Sequence, residues 1–162
     1  MRAPLTGLAL LLVVTGLQAQ TMSNPTSGPC SLPEVLQAWR RPAASVGSVI
    51  DRRPTDPAVS VNQPYRVTLA PCDSAWCKRG GYAAMVKFDI PQAGRWRVAL
   101  DTMLWIDVWA ADAKQEGVLC EHHGCQPLRK IVQYDLQSGP HWVVVEGKGP
   151  GETGVLLTRV SH

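Results

Sequence analysis

Six consecutive residues, Cys120-Glu121-His122-His123-Gly124-Cys125, hold the side chains of this chain best suited to chemistry. Thiolate and imidazole are ligands for zinc, copper or nickel, so Cys120, His122, His123 and Cys125 form a candidate transition-metal set. The same two cysteines are spaced to close a small disulfide loop with both imidazoles at its tip. These uses exclude one another, because a bridged sulfur is no longer a thiolate ligand. An oxidising compartment favours the bridge. Two adjacent imidazoles then need His141 or a carboxylate to complete a metal site.

Cys72 and Cys77 enclose four residues, as Cys120 and Cys125 do, and read as a second local disulfide. A loop this short gains only about 2 kcal/mol in the chain-entropy account. Its expected role is to stiffen the loop before Gly80-Gly81. The fifth cysteine, Cys30, is then a free thiol or the site of an intermolecular bridge and a dimer. A long-range bridge from Cys30 that frees a thiol in the 120–125 loop is the alternative connectivity.

A second group of residues suggests binding. On a strand, Trp105, Asp107 and Trp109 share one face, and with Tyr134 they offer an aromatic platform for a flat ligand. Arg129 and Lys130 add positive charge to this ligand surface. Asp107, if buried, needs a partner, for which Arg95, Arg97, Arg129 and Lys130 are the candidates. No catalytic set accompanies it. Ser74 and Ser138 lack the G-x-S-x-G context, and His141 follows a Pro turn on a strand that points it outward. Phosphate-loop, dinucleotide and helical zinc motifs are missing from the sequence.

The elements that must position these residues are extended. From about residue 45 the chain alternates apolar and polar residues, as in Tyr65-Val67-Leu69, Ala84-Val86-Phe88-Ile90 and Trp96-Val98-Leu100. Turn signals at Asn62-Gln63-Pro64, Pro91 to Gly94, Ser138-Gly139-Pro140 and Lys148 to Gly151 separate the runs. About seven or eight such strands predict an all-β chain, an antiparallel β-sandwich of jelly-roll or Greek-key type with disulfide-braced loops. The segments starting at Phe88 and Tyr134 match at an offset of 46 residues, which predicts two equivalent hairpins with Trp96 and Trp142 as core anchors. Before the strands, Ser31 and Glu34 have capping-box spacing. Leu32, Val35, Leu36 and Trp39 fit one face of a short helix that Pro42 ends.

The first 19 residues read as a secretory signal: Arg2, an uncharged apolar run from Leu5 to Leu17, and a cut after Ala19. Residues 20–44 read as a flexible leader that carries the helix, and 45–162 as the sandwich domain. Removing the signal takes the formal charge from +3 to +2, with no basic run, which argues against nucleic acid. No later stretch is apolar enough for an anchor. A periplasmic or secreted protein with an unknown ligand or protein partner is expected.

Trp105-Ile106-Asp107, His122-His123-Gly124-Cys125 and Leu128-Arg129-Lys130 resemble the recurrent features of small exported bacterial β-sandwich proteins of unknown function. The architecture resembles the pre-peptidase C-terminal type over about residues 58–160. Some members of the group carry a homogentisate dioxygenase label, which would imply an iron enzyme. Such dioxygenases resemble much longer cupins with a His/Glu iron site, and the four histidines here supply no comparable set. The sequence therefore favours a non-enzymatic binding or accessory module. A copper, zinc or nickel binder using the Cys/His loop is the alternative, and a dioxygenase-like enzyme comes third.

Overall fold

The structure is a computed structural model and describes residues 34–48, 55–72, 77–122 and 127–160. The expected signal, Cys30, His123 and Cys125 lie outside the described residues. A 3-10 helix spans Glu34–Arg40. The strands that follow are Ala44–Val46 (β1), Ala58–Val59 (β2), Pro64–Thr68 (β3), Ala70–Pro71 (β4), Tyr82–Ile90 (β5) and Gly94–Leu100 (β6). They continue with Trp105–Ala110 (β7), Ala113–Gln115 (β8), Gly117–His122 (β9), Lys130–Leu136 (β10), Gly139–Gly147 (β11) and Glu152–Arg159 (β12).

Two sheets result. The first runs β1-β3-β12-β6-β10-β9 and the second β2-β5-β11-β7-β8, with β4 also on β5. The alternation read from sequence places Val86, Phe88, Trp96, Val98, Tyr134, Val143 and Leu157 in one core to which both sheets contribute. Burying that apolar area is the main favourable term holding the layers together.

The sheets are mixed rather than purely antiparallel, because β1 pairs parallel with β3 and β2 parallel with β5. The chain leaves β1 in one sheet, visits the other at β2 and returns to β3. That crossover is what a parallel pair requires. The strand count also exceeds expectation: β1, β2, β4 and β8 are two or three residues long, too short to show a period.

Both sheets bury apolar residues on their outer faces as well. Leu36 of the 3-10 helix meets Ala99, Leu128, Ile131 and Leu156, with Trp39 alongside. The described end of the expected leader is thus part of the domain. On the other sheet Met85, Trp142 and Val144 form a cluster against which Trp109 packs. Strands covered on both faces read as nearly continuous apolar runs.

The 46-residue repeat is real in sequence but does not form two hairpins. β5 and β6 belong to different sheets, as do β10 and β11, so each unit is an arch across the core. The two arches pair with each other, β10 on β6 and β11 on β5. Gly94 sits opposite Leu136 and Gly139 opposite Ile90. Both glycines have positive φ, 148° and 112°, a region open to residues without Cβ. These equivalent glycines are 45 residues apart, because the second turn is one residue shorter. A one-residue slip reverses every side chain. Trp96 therefore enters the core, while Trp142 lies on the outer face. His141, expected outside, shares the core-facing side of β11 with Val143 and is only 2% exposed.

Candidate functional site

β8 is the last strand of one sheet and β9 the last of the other, and only Glu116 separates them. Where the chain makes this step, the edges of the layers part and leave an open cleft of about 340 Å³. Its walls come from Trp105, Ile106 and Asp107 on β7 and from Lys130, Val132 and Tyr134 on β10. The rim is the segment from Lys114 to Cys120, where Val118 and Leu119 are each 47% exposed. Gly117 lets β9 close onto β10, since a Cβ there would meet Val132 Cγ1 at 3.0 Å. The register then shifts between Gln133 and Tyr134, a bulge that sets Cys120 opposite Val132, on the cleft side.

Trp105 is 41% exposed at the mouth. The Arg79 guanidinium carbon lies 3.6 Å from its ring centroid, and Lys130 Nζ lies 4.9 Å from the same ring. Arg79 is held in turn by Glu146, whose Oε1 is 3.3 Å from Arg79 Nε. Glu146 is buried and also accepts the Lys78 backbone N–H at 3.0 Å. This short segment follows directly on the disulfide between Cys72 and Cys77, which the structure forms as expected.

Asp107 is ion-paired with Lys114 at 2.9 Å and accepts Trp105 Nε1–H at 2.9 Å. None of its expected arginine partners is used. Arg95 makes two 2.9 Å bonds to Asp135 across the β6–β10 pair instead. Tyr134 donates its hydroxyl hydrogen to the Ile106 carbonyl at 3.1 Å. Burial, with negative charge at Asp107, Cys120 and Glu116, pushes its phenol well above the ordinary value. Lys130 is buried and donates to the Leu104 carbonyl at 3.2 Å. Desolvation holds its ammonium below the usual lysine range; negative charge at Cys120 and Asp107 opposes this, and Arg79 adds to it.

The sequence-derived surface thus divides. Trp105, Asp107, Lys130 and Tyr134 meet at the cleft. Trp109 shares the outward side of β7 but packs on the Trp142 cluster. Arg129 is half-buried and its backbone N–H bonds to Leu100, away from the cleft. Lys114 and Glu116 escaped the sequence reading, because β8 is a three-residue edge strand with no apolar period. The Arg79–Trp105 contact spans two sheet ends and leaves no local signal.

Cys120 carries a free, exposed thiol, in contrast to the expected bridge with Cys125. Its place in the β9–β10 ladder turns the sulfur toward the cleft. The Cys120 sulfur lies 3.9 Å from His122 Nε2. Among the described residues, the one group of three metal-ligating side chains is Cys72, Cys77 and Glu146, and its two sulfurs are bonded to each other. That group has no thiolate to offer a metal.

No helix among the described residues is long and apolar enough to cross a membrane. No family model and no curated protein matches the chain.

Proposed function

We propose that this chain is an exported, non-catalytic binding module, a jelly-roll-like sandwich in the manner of pre-peptidase C-terminal domains, whose working site is the cleft between β7 and β10. The observation that carries this reading is the meeting of Trp105, Asp107, Lys130 and Tyr134 around about 340 Å³ of open space. That volume lies within the roughly 300–1,000 Å³ of small-molecule sites, which combine apolar walls with a few fixed polar groups. The groups at the cleft are tied into hydrogen bonds and an ion pair, which suits binding a ligand in one orientation. The Cys72–Cys77 disulfide and the N-terminal apolar run support export to an oxidising compartment.

Screening small aromatic and aliphatic acids, amides and amines against the mature protein tests this. Saturable movement of the Trp105 indole N–H resonance is expected, without movement of Trp142, and Cys120→Trp should suppress it by filling the cleft. A library with no saturating member, or turnover of an ester, glycan or diol lost on one side-chain change, would overturn the reading. Intact mass of the exported protein should place its first residue at Gln20.

A second reading rests on the Cys120–His122 contact. A sulfur at about 2.3 Å and a ring nitrogen at about 2.0 Å from one ion stand about 3.5–4 Å apart. The observed 3.9 Å suits a shared zinc or copper ion. Titration of the reduced protein with either metal decides it: near-stoichiometric uptake lost in His122→Ala supports the site, and no uptake removes it.

A further inference from the structure

From the way its charges are distributed, we infer that the cleft selects a small molecule with an apolar body and a carboxylate, and that Lys130 receives the carboxylate. The inference rests on the binding reading above and names the ligand class for that site.

Lys130 is only 6% exposed, yet it lines the cleft. An ammonium has three hydrogens to donate. The neutral Leu104 carbonyl accepts one of them. Among the described residues no carboxylate lies within ion-pair distance of Lys130. The one carboxylate on the cleft wall, Asp107, is already engaged by Lys114 and by the Trp105 indole. Glu116 stands on the exposed rim. Cys120 and Asp107 act on Lys130 only from beyond contact, and a buried cation with no carboxylate in contact is costly; a chain that needed only packing there could carry methionine or leucine. The Trp105 ring gives partial compensation, as a cation–π partner 4.9 Å away. The ring is also shared with Arg79, whose like charge works against Lys130.

A carboxylate entering from the mouth would accept the remaining Lys130 hydrogens, in a charge-assisted bond stronger than a neutral one. Its body would then lie along Val132 and Ile106, within reach of the exposed Leu119. An amine would meet Lys130 and Lys114 with like charge. A neutral amide could offer Lys130 a carbonyl acceptor but no charge, and so only the weaker kind of bond.

The test is a matched series on one skeleton: 3-phenylpropanoate, 3-phenylpropanamide and 3-phenylpropylamine, titrated against the mature protein with the Trp105 indole resonance as readout. The acid should bind at least about tenfold more tightly than the amide, and the amine weakest. In Lys130→Met the acid should lose that advantage over the amide; Lys130→Arg should keep a preference for the acid. Should the methionine variant fail to fold, the ranking on the unaltered protein still decides. Acid and amide binding equally, or the amine binding best, would overturn the inference and leave the cleft reading standing. No response to any of the three would count against both.

Discussion

The guanidinium of Arg79 lies over the indole of Trp105, 3.6 Å from the ring centroid, although 26 residues separate them in the chain. Glu146 pairs with Arg79, and the Cys72–Cys77 disulfide ties down the chain two residues before it. The disulfide thus reaches the cleft through Arg79 and Trp105. Replacing both cysteines with alanine should cost about 2 kcal/mol of stability, the amount the chain-entropy account assigns to so short a loop. Arg79→Ala should cost more than the roughly 1 kcal/mol of an exposed cation–π pair, because it also takes the ion-pair partner from the buried Glu146 carboxylate. Both variants should broaden the Trp105 indole resonance and weaken ligand binding. An unchanged indole signal in the cysteine variant would break this chain of contacts.

Lys130 supplies a prediction about pH. Folding disfavours its ammonium, so the unfolded chain holds the proton more tightly. Stability linked to this group is complete above the ordinary lysine range and is lost as pH falls through the lowered folded value. At neutral pH the native protein therefore carries the penalty of a buried charge. Lys130→Met should be more stable than the unaltered chain at neutral pH, and its advantage should shrink as pH climbs toward the ordinary lysine range. Denaturant midpoints at several pH values measure this; an advantage that grows with pH would contradict it.

The strands around the cleft were legible to different degrees, for physical reasons. Val86, Phe88, Val98 and Tyr134 alternate with outward residues, and that period survives because one side meets a dry core. β8 and β9 meet solvent on most sides, so their residues carry no period, and apart from Cys120 the rim of the cleft went unread. The repeat misled for another reason. Matching Trp96 to Trp142 maximises identity, whereas the backbone matches Gly94 to Gly139 because a turn needs positive φ there. Sequence likeness followed side chains, and the fold followed the turn. That Lys130 is buried while its neighbour Arg129 is only half-buried was hidden by the same limit. Which of two adjacent residues faces inward depends on a register no single strand reveals.

Gly154 is a position where a single methyl group should be felt. Its backbone N–H donates to Asp101 Oδ1 at 2.7 Å, and Asp101 also pairs with Arg66 Nη1 at 2.6 Å. A Cβ on Gly154 would stand 2.8 Å from Asp101 Oδ2 and 3.0 Å from Trp39 Cζ2. Gly154→Ala must therefore displace the carboxylate, the helix that carries Trp39, or both. A loss of about 1–3 kcal/mol is expected, the usual range for overpacking. Thermal melts would show it, and Trp39→Leu in the same background should recover part of the loss by clearing one of the two contacts. Full stability in the alanine variant would mean that Trp39 and Asp101 are not held as the structure has them.

Tyr134 gives the alkaline counterpart to Lys130. Its phenol is buried, bonded to the Ile106 carbonyl and surrounded by negative charge, so folding favours the neutral form. A group whose folded value is raised contributes stability that is whole below its unfolded value and falls as pH rises beyond it. Tyr134→Phe removes the hydrogen bond and should cost about 1 kcal/mol at neutral pH. Above the ordinary phenol range the order should change. The unaltered protein must then either ionise a buried phenol or unfold, and the phenylalanine variant faces neither demand. The tyrosinate absorbance of Tyr134 should appear only together with loss of the fold. The two measurements are independent. If the late absorbance step persists in Tyr134→Phe, or the stability order holds at every alkaline pH, then Tyr134 does not sit dry against the cleft, and the wall assigned to it must be redrawn.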